Sequence, residues 1–159
     1  MSLLLDLEKN EYISRTNVRI IEQYCARWGV SAYHGLLDTH ILTEHDLADA
    51  IAETYSVDRL FSYDKNDVDL NVLERVSYAD ALKFQICVPH RDEKGTYVVY
   101  IVDPTDTQLM NYLDQNLIAY KLVVVDLTLI MRSIEESYPI EFQLPTLAQT
   151  QDPTETLNQ

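Results

Sequence analysis

Three histidines in the first third of the chain are the residues whose type could bind a metal ion. His34, His40 and His45 are six and five positions apart, a spacing that does not place them on one face of a single helix. No nearby cysteine and no HExxH arrangement completes a set of ligands. We therefore interpret them as turn or surface histidines and predict no metal site.

Two further patterns resemble parts of catalytic sites. The triplet His90-Arg91-Asp92 occurs in protein kinases, but the chain lacks their glycine-rich loop and their DFG sequence, and Glu93-Lys94-Gly95 predicts a hairpin loop instead. Asp103 and Asp106 could form a carboxylate pair. Because they stand beside a proline and a helix start, we expect them instead to accept hydrogen bonds from free backbone N–H groups.

The glycine content argues against nucleotide chemistry. Gly29, Gly35 and Gly95 are the three glycines of the sequence, and none belongs to a GxxxxGKS/T or GxGxxG pattern. Both patterns need glycine where the backbone must approach phosphate groups closely. The sequence thereby argues against ATP hydrolysis and Rossmann-type dinucleotide binding, and we predict a protein that is not an enzyme and holds no cofactor.

Composition predicts a soluble, cytoplasmic protein. The 159 residues are 47% hydrophobic, enough for a packed core. The longest apolar runs, 3–5 and 122–125, are far shorter than the ~20 residues that span a membrane, and no signal peptide is recognised. Twelve Lys+Arg against 26 Asp+Glu give a net charge of −14, which repels nucleic acid and favours either a basic partner surface or solubility alone. Cys25 and Cys87 are expected to be reduced core residues.

The first half of the chain predicts helices. One is expected over 16–28, ended by Gly29 as its C′ residue, and a shorter one over 31–38. Thr43, with an acid at N3, is expected to cap a third helix, and Asp69 a fourth. Hydrophobic residues recur at helical spacing within these segments, which indicates one buried face on each.

The second half alternates strands and helices. Strands are predicted over 59–63, 84–89, 96–102 and 121–126, and the loop 90–95 is expected to join the second and third as an antiparallel hairpin. Helices are expected after Asp106 and after Asp126. Strand, helix and strand over 97–125 form a βαβ unit.

These elements define the predicted organisation, an α+β fold. An N-terminal arm (1–15) precedes a helical subdomain (16–82), a small α/β sheet subdomain with the βαβ unit (83–138) and an extended or disordered tail (139–159). The tail contains no Lys or Arg, and its alternating apolar residues favour an extended conformation. No internal repeat is apparent.

Three stretches, taken in order, resemble a known family. Residues 36–51 look like a short helix, a turn and a Thr-capped helix; residues 84–89 like a strand that ends in proline; and residues 99–106 like a strand followed by Asp-Pro-x-Asp. Their order resembles the N-terminal domain of type II secretion and type IV pilus assembly ATPases (the GspE/MshE N-terminal-like domain) without its motor. The resemblance implies a non-catalytic adaptor whose partner is a cytoplasmic domain of an inner-membrane secretion or pilus component.

Some members of this family bind cyclic-di-GMP, so a cyclic-dinucleotide sensor with a diverged site is the alternative function. The resemblance places the motif's arginine at Ser31, its two glycines at Tyr33 and His40, and its glutamine at Thr54. All four positions are changed. A side chain at Tyr33 or His40 would occupy space that the backbone needs to approach the ligand, and the charged donor best suited to a phosphate or a guanine edge is missing. No ligand-binding residue is carried over.

Aromatic and tail residues supply the predicted partner contacts. The sequence contains eleven tyrosines, and aromatic residues are enriched at protein interfaces. We predict possible contacts with a protein partner at Tyr33, Tyr63, Ile140, Phe142 and Leu144. Neither nucleic-acid binding nor direct membrane insertion is expected.

Overall fold

The structure is a computed structural model and describes residues 2–144. The helices within this range are α1 (Leu3–Lys9), α2 (Arg15–Trp28), α3 (Ala32–Asp38), α4 (Glu44–Tyr55), α5 (Leu70–Leu73), α6 (Tyr78–Phe84), α7 (Thr107–Asn116), α8 (Leu127–Ser137) and α9 (Ile140–Gln143). The strands are β1 (Asp58–Arg59), β2 (Cys87–Arg91), β3 (Tyr97–Ile101) and β4 (Tyr120–Val124). Together they confirm the predicted α+β class.

A four-stranded mixed sheet in the order β1-β4-β3-β2 organises the second half. Strands β3 and β4 are parallel and are joined through α7, which confirms the βαβ unit. Strands β2 and β3 pair antiparallel, with Cys87 opposite Tyr100, which confirms the hairpin. β1 pairs parallel with β4, so three strands end at the same edge of the sheet.

Strand β1 is shorter than predicted and starts earlier. It covers two residues, and the chain leaves the ladder after the backbone N–H of Leu60 donates to the Val124 carbonyl at 3.0 Å. The predicted strand over 59–63 is therefore wrong beyond Leu60. The side chain of Phe61 faces the solvent and is 64% exposed. β1 belongs to the predicted helical subdomain, yet it completes the sheet of the predicted α/β subdomain.

Two helix–turn–helix units at the start of the chain share the same layout. Ser2 and Ser31 cap their first helices, and Ser14 and Thr43 cap their second helices, in each case 29 positions apart. The turns match as well, because Glu11 (φ 66°) and His40 (φ 58°) both adopt left-handed backbone. The sequence shows no apparent repeat because only Ser2/Ser31 and Leu7/Leu36 are identical between residues 2–28 and 31–57.

Helix α6 was not predicted, and it displaces the start of the next strand. Ser77 caps it by accepting the Asp80 N–H at 3.1 Å, and Phe84, expected in a strand, is its last residue. β2 consequently begins at Cys87 and runs through His90 and Arg91, which had been expected in the hairpin loop. Seven residues are too few for a helical period to stand out from an apolar strand pattern.

The predicted extended conformation after Pro139 is wrong for residues 140–143. These residues form α9, which starts after Pro139 (φ −58°). The Gln143 side chain holds the turn in place by donating to the Tyr138 carbonyl at 2.9 Å. Residues 145–159, the rest of the predicted tail, lie outside the described residues.

Five tyrosine hydroxyls donate to carboxylates, and this use of tyrosine was not foreseen. The pairs are Tyr24–Asp38, Tyr55–Asp6, Tyr63–Glu136, Tyr112–Asp80 and Tyr120–Asp114. In an acidic protein with twelve Lys and Arg, a neutral donor can hold a carboxylate without an ion pair. The pKa of Tyr112 is raised to about 12, mainly because the side chain is partly buried and secondly because its hydroxyl is bonded to Asp80.

No helix within residues 2–144 has the length and apolarity needed to cross a bilayer. The longest, α2, has 14 residues, and a transmembrane helix needs ~20.

Candidate functional site

A cleft of about 850 Å³ lies where the helical units meet the end of β3. Ser31 caps α3 and His34 lies in its first turn. The end of α6 supplies Gln85, and the segment between β3 and α7 supplies Asp103 and Thr105. In open sheets with parallel strands, ligands bind at the carboxyl ends of the strands. This cleft is therefore the first candidate for a binding site.

Asp103 is the most perturbed acid of the cleft. Its Oδ1 accepts from the backbone N–H of Thr105 at 2.9 Å and from the Thr105 hydroxyl at 2.6 Å. Burial raises the pKa of the Asp103 carboxyl; the Thr105 bonds oppose the shift, and the charge of nearby Asp106 adds to it. The predicted role of Asp103 and Asp106 is confirmed, since Asp106 caps α7 by accepting from Gln108 and Leu109.

Replacing Asp103 with asparagine is expected to stabilise the protein at pH 7. A carboxyl whose pKa is raised on folding contributes to the stability of the folded state only while it is protonated. That contribution to stability is lost as the pH rises from the unfolded pKa of about 4 through the folded pKa. Asparagine keeps the acceptor for Thr105 and removes a charge that is partly buried. Thermal unfolding followed by circular dichroism should show a higher Tm than wild type at pH 7 and a smaller difference near pH 4. A lower Tm at both pH values would contradict this assignment.

A polar contact across the cleft joins the helical half to the sheet half. Nε2 of His34 lies 3.2 Å from Oε1 of Gln85, and Gln85 adopts left-handed backbone (φ 56°) where α6 ends. Among the described residues that line the cleft, Lys83 is the one Lys or Arg, against Asp103 and Asp106. The formal charge of the lining is negative, which disfavours phosphate groups.

Tyr33 is buried, so its predicted exposure as a partner contact is wrong. Its side chain is 2% exposed because it stands on the inner face of α3, next to buried Leu36. Its hydroxyl has no hydrogen-bond partner among the described residues, and burial raises its pKa. A buried hydroxyl without a protein partner is the usual place for an ordered water or a ligand atom.

The remaining positions of the cyclic-di-GMP motif have structural roles here. The Ser31 hydroxyl caps α3 by accepting the His34 N–H at 3.3 Å. His40 occupies a left-handed turn that glycine adopts at lower cost, which agrees with the glycine that the resemblance places there. Thr54 accepts a bond from Asn10 at 3.2 Å.

The histidines do not converge. His34 lines the cleft, His40 lies in the α3–α4 turn, and His45 pairs with Asp49 at 3.2 Å on the outer face of α4. Within the part of the chain that the structure describes, no group of three or more His, Cys, Asp or Glu could hold a metal ion.

The other predicted contact residues lie away from the cleft. The Tyr63 hydroxyl donates to Glu136 on α8, and Phe142 packs against the core. Ile140 and Leu144 are 71% and 61% exposed. Lys83 and Gln85 were missed as cleft residues; the Ser77-x-x-Asp80 cap of α6 was the signal that could have placed them.

Comparisons with known proteins identify the fold. No protein-family model and no curated protein matches the chain. Among solved structures, it is similar to MshE with cdg (TM-score 0.67, 17% identity, covering 87% of this chain and 99% of that one). It is also similar to two crystal forms of the N-terminal domain of XpsE (TM-scores 0.65 and 0.57, 16% and 19% identity, covering 86% and 83% of this chain and 94% and 91% of those). At these identities the likeness concerns the fold, and it confirms at that level the resemblance to N-terminal domains of secretion and pilus ATPases.

Proposed function

We propose that the protein is a non-catalytic adaptor that docks onto a component of a bacterial secretion or pilus machine. The observation that carries the proposal is the extent of the fold likeness. The chain spans 99% of the MshE structure and 94% of one XpsE N-terminal domain, and its sequence contains no phosphate-binding loop. For a domain of this fold in which no phosphate-binding loop occurs, binding is the role that we propose.

The expected partner is the cytoplasmic domain of an inner-membrane component, which places the adaptor in the cytoplasm. The net charge of −14 favours a partner with a basic surface. Exposed Ile140 and Leu144, together with Tyr63 and Phe142, are proposed contacts at the end of the described chain.

Affinity capture tests the adaptor role. The full chain, immobilised through a tag, should enrich an envelope-assembly component from the combined cytosol and membrane fractions of its native cell, as identified by mass spectrometry. A bead-bound acidic protein of similar size and charge is the control for nonspecific binding. Enrichment of unrelated soluble enzymes alone would count against the proposal.

A cyclic-dinucleotide sensor is the second candidate, and the shared layout of the two helical units favours it. Ser2 and Ser31, the equivalent caps of the two units, both line the cleft, and cyclic-di-GMP has two like halves. The acidic lining and the missing arginine oppose binding. Isothermal titration with cyclic-di-GMP at up to about 100 µM distinguishes the candidates: saturable heat supports a sensor, and its absence leaves the adaptor.

A further inference from the structure

A second surface, at the C-terminal end of α3, consists of two neighbouring clefts. One, of about 720 Å³, lies between α2, the α3–α4 turn and the start of α8. The other, of about 470 Å³, follows α8. Glu44 and Leu127 line both, so the two clefts are neighbours, and we call them together the α8 groove.

The floor of the α8 groove is apolar. Leu37, Leu42 and Leu127 line it, with Tyr24 at one end and Met131 at the other. All five side chains are only partly buried, so they still expose apolar surface to solvent. Covering such surface is favourable by roughly 25 cal/mol per Å².

The rim of the α8 groove is acidic. Asp38, Glu44 and Glu135 line it, against a single arginine, Arg132. Two of the acids are held in fixed positions: Asp38 accepts from the Tyr24 hydroxyl at 3.1 Å, and Glu44 accepts from the Thr128 N–H at 2.6 Å. Both donors are neutral, and within residues 2–144 neither acid forms an ion pair with Lys or Arg.

An apolar floor between fixed carboxylates indicates the kind of segment that would bind there. It fits a helix with apolar side chains along one face and Lys or Arg on both flanks, which is the helix-in-groove mode of recognition. A nucleic acid or an acidic helix would meet like charge at the rim. We propose that the α8 groove binds a basic amphipathic helix of the partner protein; this rests on the adaptor function and adds a second contact surface to the one at the end of the described chain.

The test uses the full chain and a synthetic helix rather than the unidentified partner. The probe is a peptide of about 14 residues with leucines at i, i+3, i+4 and i+7 and lysines elsewhere. Its controls are the same peptide with glutamates in place of the lysines and a lysine peptide without leucines. Amide chemical shifts locate the bound peptide, and fluorescence anisotropy gives its Kd.

Charge variants determine whether the rim recognises the peptide. Glu135→Lys changes an exposed acid, and Glu44→Gln removes a charge while keeping an acceptor for Thr128. The double variant should bind the lysine–leucine peptide about tenfold more weakly. Glu93→Lys, in the loop after β2, alters the net charge as Glu135→Lys does and should change Kd less than about twofold.

The outcomes separate the groove from the adaptor role. Shifts around Leu42, Leu127 and Met131 with the expected variant effects support the proposal. It is overturned by absent binding, by equal binding of either control peptide, by an equal effect of Glu93→Lys, or by a dimer of this chain that covers the same residues. If the peptide does not bind, affinity capture can still find a partner at another surface. If the peptide binds but affinity capture recovers no envelope-assembly component, only the secretion assignment is contradicted.

Discussion

Replacing Tyr138 with alanine should lower the free energy of unfolding by about 3–5 kcal/mol, the usual cost of emptying a buried aromatic site. Tyr138 is 3% exposed and follows the last turn of α8. Its hydroxyl donates to the Val76 carbonyl at 2.6 Å, and its ring meets Tyr78 edge-on at 5.5 Å. The side chain thus ties the last long helix to the connection between α5 and α6. Urea unfolding followed by circular dichroism measures the change.

Tyr138→Phe separates the ring from its hydroxyl. It keeps the packing but leaves the Val76 carbonyl without this donor, at an expected cost of about 1–2 kcal/mol. Tyr97→Phe, at a half-buried ring on β3, is the matched removal of a hydroxyl and should cost less than about 0.5 kcal/mol. If the Tyr138→Ala variant lost under 1 kcal/mol, roughly what a surface change costs, the assigned packing would be wrong.

Gly35→Ala should destabilise the protein by about 1–3 kcal/mol, although alanine favours a helix by about 1 kcal/mol over glycine. A Cβ at this position of α3 would lie 2.6 Å from Sγ of Cys25 and 3.0 Å from Cγ2 of Ile21. The two helices approach closely here because the glycine has no side chain. Chemical denaturation of the variant gives the cost directly.

A double variant identifies the cause of that cost. Cys25→Ala removes the sulfur that the new methyl group would meet, so Gly35→Ala should be less harmful in that background by about 1 kcal/mol or more. Gly95→Ala is the contrasting control: a Cβ there meets nothing within 4 Å, but its φ of 82° strains any side chain. Equal costs of Gly35→Ala with and without Cys25 would show that the sulfur is not the obstacle.

Caps and strand partners were the parts of the fold that could be predicted from sequence. Thr43 caps α4, Gly29 ends α2 in left-handed backbone, and Asp126 caps α8, as expected. Each is a local signal, decided by a few neighbouring residues. Trp28 shows the limit of periodicity, because it fits the buried stripe of α2 yet is 61% exposed where the helix ends.

The cleft and the groove could not be predicted, because they depend on how distant segments meet. His34 and Gln85 are 51 positions apart and come together only when α3 packs beside the end of α6. Glu44 and Thr128 are 84 positions apart. Composition indicated an acidic surface, but only the packing of α8 against the α3–α4 turn shows which carboxylates border exposed leucines.

The tyrosine–carboxylate pairs have a kinetic consequence. Neutral hydroxyls hold five acids, whereas among the described residues Lys and Arg pair with three, Glu8, Asp49 and Asp92. A hydroxyl brings no positive charge to the acid that it holds, so it does not offset that acid's field locally. The long-range field of a protein with net charge −14 then acts on an approaching basic partner and accelerates encounter. Such steering is screened beyond about 8 Å at physiological salt. The rate of association with a basic partner should therefore fall steeply as salt is added, while the folded state itself is little affected.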